Sequence, residues 1–394
     1  MRLILKTSLA AALSVSIPAA ACRSGPSIDT SKFTVEIRGD VRLVHNHAPQ
    51  FQGASPVRFE HIGTIGRLEA REEKDVLYDP VDVERLANGD VLVLEGDGCT
   101  IKRFDGRHQF VSSFGRKGLG PGDFISPFRL RMSSKKDLVY VAERNRVSWF
   151  RPDGRFVGSF KCAAARSGGS SISQQHRTSG MSLLSDGRVI LPGDHSVWEE
   201  SGQAALLMVY DAAGKTVRSF GTVTRFDDPL LTLNANLVQF VTDDSDACYV
   251  AYDHQNRLDK YSREGHPLFS SDRPLPYAVK TEMREEVFTS GSMKQAFPWP
   301  SVTSVARGVS IDGRGRVWVL TYLVQPNRFG GFDAEDDAGR CYRFDVFDSE
   351  GVLRFSVSPP NVPFGGFVIH GDRIYLIDAA EGACVREYRI IEGD

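Results

Sequence analysis

Phe104 to Gly115 reads FDGRHQFVSSFG: an aromatic that closes one β-run, a polar turn, then a second aromatic ten positions on. The spacing returns in FRPDGRFVGSF (Phe150 to Phe160) and YDAAGKTVRSFG (Tyr210 to Gly221), which marks an internal repeat. Working outward, each unit opens with a β-run, turns at a polar pair and continues into a short apolar run. These are Asn88-Gly89 before VLVL, Lys136-Asp137 before LVYVA, Asp186-Gly187 before VIL, Asp246 before CYVA, Arg314-Gly315 before VWVL, and Gly371-Asp372 before IYLI. Such runs, rich in β-branched and aromatic residues, read as buried central strands of hairpins.

A third strand follows in each unit with the pattern apolar-x-x-aromatic: Ile101 to Phe104, Val147 to Phe150, Leu207 to Tyr210, Leu258 to Tyr261, Phe344 to Phe347 and Val385 to Tyr388. Four residues after the aromatic stand Gly154, Gly214, Gly265 and Gly351, where a turn wants positive φ; His108 holds that place in the first unit. A fourth strand runs outward, as in Val111 to Phe114. Four antiparallel strands repeated six times predict an all-β, six-bladed β-propeller. The sixth unit is one strand short, because the sequence ends six residues after Tyr388. Ile62 to Arg67 (IGTIGR) aligns by type with Val111 to Arg116 (VSSFGR), so this N-terminal segment is expected to complete the last blade.

Ahead of the repeats, Arg2 and Lys6, an apolar Leu9 to Ala20 and small residues before Cys22 read as an export signal over residues 1–21. Ala19-Ala20-Ala21-Cys22 has the form of a lipobox, making Cys22 the expected lipidated N-terminus and residues 22–32 a tether ahead of a propeller spanning 33–394. The expected location is periplasmic or cell-surface, with the membrane reached through a lipid anchor on the outer membrane. Phe33 to Asn46 reads as two β-runs around Arg38-Gly39-Asp40, which is turn chemistry. His45 and His47 lie just beyond, with no third metal ligand in view.

Lysine and arginine total 48 against 50 acidic residues in 394, so the electrostatic footprint of a nucleic-acid binder is missing and no nucleic-acid partner is expected. Beyond Cys22, five cysteines remain, and none forms a C-x-x-C. Cys99, Cys341 and Cys384 occupy corresponding connections of adjacent units, where a disulfide could form near ring closure.

Strand order puts the tight turns on one face and the long connections on the other, where a ligand is expected. Arg116 and Lys117 in the glycine-rich GRKGLGPG, Asp194, His195 and Trp198, Trp299 between two prolines, and Arg328 are the binding-face candidates. The glycine-rich stretch lacks the G-x-x-x-x-G-K-[ST] order and reads as an inter-blade turn. Asp333, Glu335, Asp336 and Asp337 form an acidic loop without the EF-hand order, the weak candidate for calcium. Lys280 to Phe288 (KTEMREEVF) is the one stretch read as helical, a lid or brace over the rim.

FGRKGLGPGDFISP, the Asn145-Arg146-Val147 and Asn256-Arg257-Leu258 openings of third strands, and VRLVHNHAP ahead of a closing strand resemble the six-bladed bacterial lipoproteins with NHL-like repeats. That resemblance covers nearly all of the mature chain and implies the propeller fold. The chain has no Asn-His-Leu tripeptide, and its nine histidines do not recur at equivalent blade positions, unlike the axial zinc ligands of the peptide-amidating lyases of similar fold. No catalytic constellation stands out. The expected function is a non-catalytic binding module for a protein, peptide or glycan, needing no cofactor; the alternative is a hydrolase or lyase with calcium or zinc on the axis.

Overall fold

The computed structural model describes residues 28–53, 55–66, 72–143, 145–162, 180–193, 205–290, 293–327, 332, 338–380 and 382–393. Six four-stranded antiparallel blades follow one another around a ring. Blade 1 is Pro80–Arg85, Val91–Glu95, Thr100–Phe104 and Phe110–Phe114; blade 2 is Pro127–Met132, Val139–Glu143, Arg146–Phe150 and Phe156–Lys161. Blade 3 is Ser182–Leu183, Val189–Pro192, Ala205–Tyr210 and Thr216–Thr222; blade 4 is Val238–Thr242, Cys248–Tyr252, Leu258–Tyr261 and Pro267–Ser271. Blade 5 is Ala306–Ile311, Val317–Tyr322, Tyr342–Phe347 and Leu353–Val357. Blade 6 takes Gly366–His370, Arg373–Asp378 and Cys384–Glu392 from the C-terminus and Val57–Ile65 from the N-terminus.

The apolar runs are the second strands, and those of blades 1, 2, 4 and 5 are buried throughout. Side chains alternate across a strand, so each run feeds two interfaces. Leu92 and Leu94 pack with Leu130 and Val141 of blade 2, whereas Val91 and Val93 pack with Tyr375 and Val385 of blade 6. Buried apolar residues accordingly fall into one cluster per blade interface, which is why no single blade could fold alone.

The third-strand aromatics share a device: register shifts by one residue immediately before Phe104, Phe150, Tyr210, Tyr261, Phe347 and Tyr388. In blades 2 to 5 the next turn carries glycine at positive φ, as expected. A Cβ on Gly154 would meet Phe114 at 2.7 Å, and one on Gly265 would meet Phe220 at 2.7 Å. The glycine thus makes room for the outer aromatic of the preceding blade.

At the ring's seam the sizes are exchanged. His108, at φ 63, lies over Gly63 of the closing strand, and its Nε2 is 2.7 Å from Glu387 Oε2. Gly63 and Glu387 are direct partners in the sheet, as are Ile65 and Val385. Burial pushes the Glu387 carboxyl up, but the His108 bond and the charges of His108 and Arg373 outweigh it and hold the group below its ordinary range.

The N-terminal segment does more than close blade 6. Phe33–Arg38 and Val41–Asn46 form the expected hairpin, whose second strand pairs in parallel with the outer strand of blade 4, Phe269 opposite Arg42. His45 faces Asp272 at 2.7 Å, a tie to blade 4. Asn46, 4 % exposed, donates to the carbonyls of Asp272 and Gly351 and accepts from Leu353 N–H, bridging blades 4 and 5. Gln50 and Phe51 then bond the backbone of Leu353 and Arg354 in blade 5. A belt therefore runs over blades 4 and 5 before the closing strand begins.

Two expectations are corrected. Lys280 to Phe288 is not helical: Thr281–Ser290 pairs along its length with Met293–Val302 in an antiparallel arm. Its Glu, Met and Arg favour helix locally, but cross-strand partners for every residue outweigh that preference. Among the described residues the α-helices lie at Pro229–Ala235, capped by Asp228 with Pro229 in the first turn, and at Ala338–Cys341. Nor is a disulfide formed among the described residues: Cys99, Cys162, Cys248, Cys341 and Cys384 carry buried thiols. No helix among the described residues is long and apolar enough to cross a membrane.

The seam makes a sharp prediction. A Cβ at residue 63 would sit 2.3 Å from His108 Nδ1, so Gly63→Ala should cost about 1–3 kcal/mol in denaturant unfolding. Adding His108→Ala should recover part of that loss; strictly additive losses would contradict the contact.

Candidate functional site

The first strands of the blades stand around the axis, and in two of them charged residues alternate with apolar ones: Asp82 and Glu84 in blade 1, then Arg129 and Arg131 in blade 2. Asp82 is buried and ties blade 1 to blade 2, accepting from Leu130 N–H and Arg131 Nη1, both at 2.8 Å. Arg131 also approaches Glu84 at 3.9 Å. Burial pushes the Glu84 carboxyl up against the charges of His370 and Arg131; His370 Nε2 lies 3.7 Å from it.

Arg131, Val309, Phe367 and Val368 border cavities on both sides, so they divide the axis into two chambers. One, of about 770 Å³, opens among the tight turns. The other, of about 490 Å³, is bounded by residues of the long connections and therefore opens on the loop-rich face.

The loop-side chamber holds the more distinctive chemistry. Arg129 Nη2 donates to Gln239 Oε1, and Gln239 Nε2 to Asp253 Oδ2, both at 3.4 Å. Asp253 Oδ1 is buried without a hydrogen-bond partner. Burial lifts the Asp253 carboxyl to about 7, although the Gln239 bond and the charges of Arg307 and Arg129 pull it down. Arg307 reaches in from blade 5, its Nε donating to Gly365 O at 2.7 Å and its Nη1 to Tyr322 OH at 3.0 Å. His254 Nδ1–H donates to Thr303 O at 3.1 Å, and burial pulls its imidazole down, which leaves Nε2 an acceptor in the neutral ring. The chamber thus offers guanidinium donors, a carboxyl inclined to keep its proton, and aromatic walls from Phe240, Tyr322 and Phe367.

Among the described residues, none of the candidates read from sequence lines this chamber. Arg116 lies in the blade 1 to blade 2 connection, where its Nε donates to Asp123 Oδ1 at 2.9 Å; Lys117 bridges to Phe124. The glycine-rich stretch is thus an inter-blade turn, as expected. Trp299 is half exposed on the arm, on the same strand face as Phe297. Cys22, Asp194, His195, Trp198, Arg328, Asp333, Glu335, Asp336 and Asp337 lie outside the described residues. Sequence reading passed over Asp253, Arg129, Arg307 and Asp82. The available signal was charge at alternate positions of first strands, in PVDVER and PFRLRM. Among the described residues no three His, Cys, Asp or Glu side chains are grouped to hold a metal ion.

No protein-family profile matches the chain, and no curated protein matches it in sequence. Solved structures do share its fold. A member of the DUF4221 family from Bacteroides vulgatus aligns with a TM-score of 0.54 at 11% identity, over 86% of this chain and 99% of that one. A Bacteroides fragilis protein predicted to be exported aligns with a TM-score of 0.53 at 9% identity, over 86% and 96%. Virginiamycin B lyase from Staphylococcus aureus aligns at 0.45 and 10% identity, over 85% and 100%. The first two likenesses establish the six-bladed propeller class.

The chamber carries a pH prediction. Because the Asp253 carboxyl is lifted on folding, the folded state gains from its proton at low pH and loses that gain as pH rises through about 7. Asp253→Asn should therefore be more stable than wild type by about 2 kcal/mol at about pH 8, with the difference shrinking toward about pH 5. A difference that does not vary with pH would contradict the burial of this group.

Proposed function

We propose that the chain is an exported, lipid-anchored propeller that binds, without turning over, a protein, peptide or glycan on its loop-rich face, receiving a polar group of that ligand in the axial chamber. The observation that carries this reading is the chamber itself: about 490 Å³, within the size range of small-molecule sites, with a few convergent polar groups between aromatic walls. Trp299 and Phe297 on the arm supply exposed aromatic surface on the same face. The leader over residues 1–21 and the cysteine that follows it support export and anchoring.

An acid–base enzyme with its site on the axis is the second reading. It is favoured by Asp253, whose proton is held near neutrality inside the cavity.

Gly366 borders the chamber, and a Cβ built on it meets nothing within 4 Å, so Gly366→Trp should fill the space without unfolding the ring. Mature protein incubated with the peptide and oligosaccharide fraction of an envelope extract should retain a ligand, identified by mass spectrometry, that Gly366→Trp loses. Equal retention by both would contradict the chamber as the site, and release of an altered molecule would select the enzyme. For the anchor, Cys22→Ala should move the protein from the membrane fraction to the soluble fraction; an unchanged distribution would contradict lipidation.

A further inference from the structure

We infer that the loop-side chamber is an oxyanion site in which Arg129 and Arg307 take the carboxylate or phosphate of a ligand of about sugar size. This rests on the reading of that chamber as the binding site, and adds the charge of what it binds. The two arginines come from the first strands of blades 2 and 5, three blades apart in a ring of six, so they face each other across the axis. A group between them can be approached from both sides.

The charges around the chamber favour an anion. Asp82 is already engaged by Arg131 and by Leu130 N–H. Asp79 stands at the rim, where its Oδ2 accepts from Asp97 N–H at 3.1 Å. Arg307 makes no ion pair among the described residues: its Nε and Nη1 are fixed by a carbonyl and a phenol, which orient the planar guanidinium without cancelling its charge. A guanidinium held in this way is suited to a carboxylate or phosphate, which it can meet with paired, charge-assisted hydrogen bonds. Phe240, Tyr322 and Phe367 limit the room around the anion to a compact ring or chain.

Asp253 sets the dependence on pH. The charged groups that act on it are Arg307 and Arg129; Gln239 bonds its Oδ2, and the neighbouring His254 is turned to the Thr303 carbonyl. With its proton retained, Asp253 leaves the Arg307 charge available. Once ionised, it competes with the ligand for that charge. Binding of an anion should therefore weaken as pH rises through about 7.

Calorimetric titration of the mature protein with glucuronate, glucose 6-phosphate and glucose tests this at about pH 5.5 and about pH 8.5. At the lower pH one or both acids should bind at least about tenfold more tightly than glucose, and the advantage should fall by about tenfold at the higher pH. Binding of glucuronate alone assigns a carboxylate, of the sugar phosphate alone a phosphate. Arg307→Gln should reduce acid binding by about tenfold or more, and Asp253→Asn, which remains uncharged, should abolish the pH dependence. Glucose binding as tightly as the acids, or no acid binding up to about 20 mM, would overturn the oxyanion assignment. If ligand capture sensitive to Gly366→Trp persisted in either case, the chamber would stand as the site and only the charge of its ligand would be wrong.

Discussion

The pairing of Val57–Ile65 with Cys384–Glu392 is the constraint on which the rest of the molecule depends. Without it blade 6 would end in an unpaired edge, and its interface with blade 1 would lose Ile65 from a cluster that also contains Val83, Val93, Tyr375 and Val385. His108 marks the seam chemically. Elsewhere a glycine in the turn receives an aromatic of the preceding blade; here a glycine in the closing strand receives the ring of a turn residue, which also reaches Glu387. The belt of residues 33–53 holds the N-terminal segment in place by backbone pairing to blade 4 and through Asn46 and residues 50–51 to blade 5.

Ring closure also creates the chemistry of the axis. Each blade gives its second strand to two apolar interfaces, and its first strand is left beside the central space, where six strands converge without filling it. Charged side chains can occupy such positions because partners arrive from neighbouring blades: Asp82 meets Arg131 from blade 2, and Glu84 meets His370 from blade 6. Buried carboxylates without those partners would be costly. The Asp82–Arg131 pair helps to separate two chambers, while Asp253, which makes no ion pair among the described residues, responds to burial by favouring its protonated form.

Much of the architecture was legible in the sequence because repetition is a local signal. The apolar second strands, the third-strand aromatics, the residues at positive φ and the aligned segment from Ile62 to Gly66 each point to the same wheel, and the structure places them accordingly. The arm was misread because KTEMREEVF carries good helix formers, whereas its strand partner, Met293–Val302, contains Pro298 and Pro300. Asp228-Pro229, a readable helix start, was passed over. The chamber was harder to see. Arg129, Asp253 and Arg307 lie far apart in sequence, and each looks like an ordinary strand-end charge until the blades are arranged around the axis. Their meeting is a property of closure and of strand order, not of any motif.

Hydrogen–deuterium exchange across the seam tests closure most directly. If the N-terminal strand belongs to blade 6, backbone amides of residues 58–65 that bond across the seam should be protected to the same degree as those of residues 385–391, and both sets should open in one cooperative step as denaturant is added. Exchange of the N-terminal strand at the rate of an unstructured peptide, while residues 385–391 stay protected, would contradict the closed ring.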